Sequence, residues 1–238
     1  MATSRSDPPE VRFPAILRAL KRAHPEARVA LEFETPLECL VAVVLSAQST
    51  DTLVNQVTAR LFKKYRGPED YLRVPEEELQ AYIHATGFFR QKTKALRGLS
   101  QKLLDDFDGE VPKTIAELIT LPGVARKTAN IVQATSYPEA ARKDPDAGVA
   151  VDTHVGRLAV RLALTSHRPK DAEKIERDLM EVVPRKQWPH ITNLLIAHGR
   201  KICDAKKPRC EECTIERYCP SSQEAGQTDL YRAPAGRA

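Results

Sequence analysis

Residues 112–135 read PKTIAELITLPGVARKTANIVQAT, a stretch that spells two helices with a tight reversal between them. Thr114 followed by Glu117 is a helix-starting pair, hydroxyl and carboxylate together satisfying amides of the first turn. Pro122 and Gly123 end that helix, the glycine supplying the positive φ that a sharp turn needs. A second helix is predicted from about Val124. Its leading N–H groups, at the positive end of the helix dipole, make a seat for a phosphate whatever the sequence of the polymer that carries it. A turn of this kind also serves simply to pack two helices, so its meaning depends on what surrounds it.

What surrounds it is Lys127, placed one turn into the second helix and close to any docked phosphodiester. A lysine there either pairs with the phosphate or acts as an amine nucleophile, attacking a sugar carbon to displace a base and forming a Schiff base that permits strand cleavage by β-elimination. The second use requires a neutral amine, which partial burial, the positive helix end and the neighbouring Arg126 favour. A carboxylate is needed to accept the proton and to stabilise positive charge on the sugar as the base departs. Asp152, in AVDTHVGRLAVRLAL, follows an apolar run and stands where a helix begins. The bland reading is a capping aspartate, and capping is compatible with chemistry because it fixes the carboxylate in place.

Beyond these segments the apolar residues recur at helical spacing, as at Phe13, Ile16, Leu17 and Leu20, at Leu96, Leu99 and Leu103, and at Leu158, Val160 and Leu162. No run of alternating strand residues competes, so the chain is predicted to be all-α. Ser136 to Gly148, polar and holding two prolines, reads as a linker between two helical units. The polar ends, residues 1–10 and 220–238, read as flexible tails. The 238 residues, 42% of them hydrophobic, suffice for one large domain or two small ones. The net charge of +5 favours an anionic partner. No stretch approaches the run of about 18 apolar residues that spans a bilayer, and the first residues lack the apolar segment of a signal peptide. A cytoplasmic location is therefore expected, with a monomeric state and nucleoid association expected alongside it.

Cys203, Cys210, Cys213 and Cys219 form the pattern C-x6-C-x2-C-x5-C, with the fifth cysteine, Cys39, far away in an apolar segment. Four thiolates suit either a zinc ion or a [4Fe-4S] cluster. Zinc ribbons usually bring two closely spaced pairs, and here Cys210 and Cys213 form the one such pair, which favours the cluster. Two disulfides would need an oxidising compartment. Lys206, Lys207, Arg209 and Arg217 lie in the same segment, so a cluster there would hold a basic loop against a DNA backbone.

Taken together, LSAQSTD at Leu45 to Asp51, LPGVARKTA at Leu121 to Ala129, VDTH at Val151 to His154 and the cysteine spacing resemble the endonuclease III family, the iron-sulfur helix-hairpin-helix DNA glycosylases and abasic-site lyases. The resemblance covers roughly residues 11–219. It implies two helical domains with a cleft between them that holds the active site. One is a six-helix barrel over 30–143 bearing the hairpin at about 114–135, and the other is a cluster domain from 11–29 and 144–219. It implies Lys127 as the Schiff-base lysine and Asp152 as the essential aspartate. The substrate implied is double-stranded DNA carrying an oxidised pyrimidine or an abasic site. DNA contacts are implied for Gln48, Phe88, Arg90, Leu121, Gly123, Ala125 and His154, with Gln48 filling the gap left by the flipped nucleotide and Phe88 holding it open.

The stretch Arg90, Lys92, Lys94, Arg97, Lys102 carries no acid, and Arg90, Lys94 and Arg97 share a helical face that could follow phosphates or simply face water. Three departures from the family pattern stand out. Ala125 takes the place of the hairpin's usual second glycine, Phe88 replaces a commoner leucine, and the 136–148 connection is long. Rival readings are a relative that excises mismatched adenine or thymine, which lacks the lysine, an inactive DNA-binding hairpin protein, and a zinc-stabilised adaptor.

Overall fold

The computed structural model describes residues 3–226. Among them are twelve α-helices and no strand: α1 Pro9–Ala23, α2 Pro36–Ser46, α3 Asp51–Lys64, α4 Pro68–Arg73, α5 Glu76–Ile83, α6 Phe89–Asp106, α7 Ile115–Leu118, α8 Arg126–Ser136, α9 Pro138–Lys143, α10 Thr153–Arg161, α11 Ala172–Val182 and α12 Trp188–Lys201. No helix among the described residues is long and apolar enough to cross a membrane.

The chain divides into two compact units: a contiguous one, Val29–Ala147, and a split one built from the segments that precede and follow it. In the contiguous unit α2 is central. Its sequence PLECLVAVVLS is apolar on nearly every side, so it is buried all round, with α8, α3 and α6 packed on it. Thr35 caps it, accepting the Glu38 N–H at 3.2 Å, and Pro36 opens it where a missing N–H costs nothing. Leu96, Leu99 and Leu103 of α6 are fully buried in the same core. In the split unit Phe13, Ile16 and Leu20 of α1 join Leu158 of α10, Leu179 of α11 and Leu195 of α12 in a second core.

Several segments differ from the sequence expectation. Ser136 to Gly148 is no loose linker, because α8 runs into it, α9 occupies its middle and the buried Asp144 accepts hydrogen bonds from the Ile115 N–H at 2.7 Å and from Gln133 Nε2. Polar residues there satisfy buried backbone instead of meeting water. The ends expected as tails are ordered as far as they are described. Pro9 starts α1, Arg5 pairs with Glu224 at 2.5 Å and bonds Ser222 Oγ at 3.2 Å, and Ser221 and Ser222 are buried. Residues 1–2 and 227–238 of the expected tails lie outside the described residues.

Candidate active site and cysteine loop

The hairpin is tighter than its sequence suggests. Thr114 Oγ1 accepts the Glu117 N–H at 3.3 Å and meets the Glu117 carboxylate at 2.6 Å, so the pair does start a helix, but α7 lasts four residues. The chain then turns through Leu121 to Val124, closed by Val124 N–H to Leu121 C=O at 3.1 Å. Gly123 sits at φ +80°, and a Cβ there would stand 2.7 Å from Ala95 Cβ of α6. Both the conformation and the close approach therefore call for glycine. Because this turn must finish first, α8 begins at Arg126 and not at Val124, with Ala125 as its N-cap in extended conformation and without a side-chain cap. Lys127 thus lies in the first turn of α8, beside the amides that an incoming anion would meet.

Lys127 is exposed, so the partial burial expected of it is absent. Gly123 and Ala125 are exposed as well, whereas Leu121 is 2% exposed and packs in the core of the contiguous unit. Leu121 can therefore offer a nucleic acid its backbone but not its side chain.

Three non-glycine residues of the contiguous unit have left-handed backbone, Asp108 at φ +52° in the turn after α6 and two others among the site residues expected from sequence. Gln48, in the short turn from α2 to α3, has φ +54°, and Phe88, the N-cap of α6, has φ +48°. Left-handed conformation costs a residue with a Cβ about 1–2 kcal/mol, and neither is glycine. Both side chains are nevertheless exposed, Phe88 to 55%. Arg90 is exposed beside it, its guanidinium 5.7 Å from the Phe89 ring centroid, and Phe89 in turn stacks on His84 at 4.5 Å.

The basic stretch of α6 does not form a uniform stripe. Lys92 is 5% exposed, Arg97 Nη1 donates to the Tyr71 and Val74 carbonyls at 3.1 and 2.9 Å, and Lys102 pairs with Asp106 at 2.5 Å. Of the expected phosphate-following face, Arg97 is thus committed to the end of α4, where helix carbonyls lack partners.

In the split unit Asp152 is the N-cap of α10, its Oδ1 accepting the Val155 N–H at 2.8 Å. His154 is half-buried, with Nδ1 3.0 Å from Arg157 Nη2. A guanidinium only donates, so Nδ1 accepts, and the neutral ring carries its proton on Nε2. Burial holds the His154 pKa below its ordinary value.

All four cysteines of the C-terminal cluster line one pocket, walled also by Leu158, Leu162, Ile202 and Ile215. Burial pushes the Cys213 and Cys219 thiols up to about 12 each, and the neighbouring cysteines add to the rise, so deprotonation there calls for a compensating cation. Among the described residues no three His, Cys, Asp or Glu side chains are gathered as a site for a metal ion. The loop itself is pinned by side chains that sequence reading missed. Arg161 reaches Cys203 Sγ at 3.2 Å, the Asp204 carbonyl at 2.6 Å and the Ala205 carbonyl at 2.9 Å. Arg12 donates to the Leu162 and Tyr218 carbonyls at 2.9 and 2.8 Å. His198 Nε2 lies 3.4 Å from Cys213 Sγ, and its Nδ1 lies 3.0 Å from His24 Nε2.

Comparison with known proteins adds a consistent set of likenesses. The family model of the HhH-GPD superfamily base excision DNA repair proteins matches residues 41–185. Endonuclease III of Synechocystis is 46% identical over 208 residues, covering 87% of this chain and 91% of that protein. Endonuclease III of Bacillus subtilis is 43% identical over 208 residues, with the same coverage of both. A solved structure described as a trapped endonuclease III–DNA covalent intermediate, an estranged-adenine complex, superposes with a TM-score of 0.82 at 37% identity, covering 95% of this chain and all of that one.

Proposed function

We infer that this chain, which belongs to the HhH-GPD superfamily of base excision DNA repair proteins, is a bifunctional DNA glycosylase and abasic-site lyase that acts on oxidised pyrimidines in duplex DNA. The observation that carries this reading is Lys127, an exposed amine in the first turn of α8 beside a glycine-tight hairpin. Amides at that helix end, together with the exposed backbone at Gly123 and Ala125, bind the DNA phosphate. The amine is then held near the adjoining sugar.

Lys127 Nζ attacks C1′ of the flipped nucleotide. The bond from C1′ to the base breaks, the base leaves with the bonding pair and is protonated, and loss of the amine's proton with ring opening leaves a Schiff base between Lys127 and C1′. Removal of a C2′ proton then expels the 3′ phosphate by β-elimination, which nicks the strand, and water releases the lysine. Asp152 supplies negative charge for the sugar as it becomes cationic and accepts the lysine proton. Its capping bond to the Val155 N–H keeps the carboxylate from rotating away. Gln48 fills the vacated space in the duplex, Phe88 wedges the stack, and Arg90 and His154 Nε2–H contact the DNA backbone.

The four cysteines fit a [4Fe-4S] cluster better than one zinc ion. All four line one pocket with Leu158, Leu162, Ile202 and Ile215, and their spacing holds one short pair, Cys210 and Cys213, where zinc ribbons usually bring two. When bound the cluster supplies four iron-thiolate bonds that tie the Cys203–Cys219 loop together, and Arg161, Arg12 and His198 orient that loop from outside. Brown colour with stoichiometric iron and sulfide checks this, and bound zinc in a colourless protein contradicts it.

The activity is tested with a duplex holding one thymine glycol. The wild type is expected to release the base and nick the strand, and Lys127→Ala and Asp152→Asn to lose both. Tight duplex binding by the wild type with neither product, on any oxidised pyrimidine, overturns the enzyme reading in favour of a DNA-binding module.

A further inference from the structure

Lys92 is a long cationic side chain turned into the core of the contiguous unit, 5% exposed. A buried ammonium is tolerated where oxygen atoms surround it. Its Nζ donates to the Leu45 carbonyl at 2.8 Å and to the Thr86 carbonyl at 2.7 Å. Burial draws its pKa below the ordinary lysine value.

The two acceptors are not arbitrary. Leu45 lies in the last turn of α2, whose carbonyls have no partner within the helix, three residues before Gln48. Thr86 ends the 3₁₀ turn that leads through Gly87 into Phe88, and the Phe88 carbonyl accepts the Lys92 N–H at 3.0 Å. One side chain thus bridges the two segments that carry the exposed left-handed residues Gln48 and Phe88. Strained backbone of this kind persists where its surroundings over-determine it, and the Lys92 ammonium binds the backbone beside both turns.

We propose that Lys92 is a positioning residue that locks the Gln48 turn to the Phe88 turn, so that the two side chains enter the base stack as one rigid pair. This rests on the glycosylase reading above and assigns Lys92 no contact with DNA. Without the bridge each turn relaxes separately toward unstrained backbone, and the pair loses its fixed spacing. A displacement of about 1 Å in such a site lowers rates by up to about 100-fold.

The test is a double-mutant cycle read as kcat/KM on the thymine glycol duplex. Lys92→Met keeps the length of the side chain and removes its donors. It is expected to lower kcat/KM about 10-fold or more in the wild-type background and about 3-fold or less in a Phe88→Ala background, where the wedge is already gone. Equal losses in both backgrounds mean that Lys92 merely stabilises the fold, and they overturn the proposal. Should Lys92→Met fail to fold, native-state amide exchange on the unmodified protein decides. The Ser49 and Gly87 amides, bonded to the Ser46 and His84 carbonyls, are expected to open together with one free energy. Separate openings overturn the coupling. A wild type without activity refutes the glycosylase reading and not this one, which the exchange measurement still tests.

Discussion

The contiguous unit holds its hairpin turn by packing it on an apolar helix, whereas the split unit holds its cysteine loop by buried cations. In the first, Leu96, Leu99 and Leu103 press α6 into the core, and Ala95 and Gly98 let the Pro122–Gly123 turn lie directly on it. In the second, Arg12 and Arg161, each 2% exposed, reach backbone carbonyls of a segment with two short 3₁₀ turns at Cys210–Glu212 and Glu216–Tyr218. A regular helix satisfies its own backbone. An irregular loop cannot, so its carbonyls must be met from outside. The lesson is that the hairpin carries its own stability, while the cysteine loop depends on what is placed inside and around it.

Loss of the proposed cluster should expose that difference most strongly. Oxidative removal of iron is expected to abolish amide protection in the cysteine loop while α2 and α6 stay protected, because a loop built around a metal group has no core of its own. Hydrogen exchange resolved by segment measures it, and equal loss in both units breaks the comparison.

Arg161→Met comes next. It removes the donors to the Asp204 and Ala205 carbonyls and to Cys203 Sγ, and is expected to cost about 3 kcal/mol by denaturant unfolding. In the contiguous unit Gly123→Ala should cost less, about 2 kcal/mol, from the positive φ and the contact with Ala95. Thr114→Ala removes one capping bond and should cost about 1 kcal/mol. A cost for Thr114→Ala as large as that for Arg161→Met would erase the contrast between the two regions.

How much of this was legible depended on whether the signal was local. The Thr114 and Pro122–Gly123 signals are local chemistry, and the hairpin appears where they place it, two residues later at the start of α8. The capping role of Asp152 was likewise visible from its position before an apolar helix. Arginine and lysine were not legible in the same way. Arg97 read as part of a basic face and Lys92 as part of an acid-free stretch, yet both turn to carbonyls of α2, α4 and the Thr86 turn. Arg12 and Arg161 gave no signal at all. A cation looks the same in sequence whether it meets water, phosphate or a stranded carbonyl, because its partner is set by tertiary structure. For the same reason Ser136 to Gly148 looked like a linker when Asp144 was in fact tying α7 and α8 together, and Lys127 was expected to be partly buried when it is exposed.

The most direct test of the central claim is the identity of the amine that forms the Schiff base. The purified protein is incubated with a duplex bearing one thymine glycol, borohydride is added, and the covalent adduct is digested and mapped by mass spectrometry. The adduct is expected on Lys127. A modified peptide carrying the sugar on any other lysine or on the N-terminal amine would contradict the account.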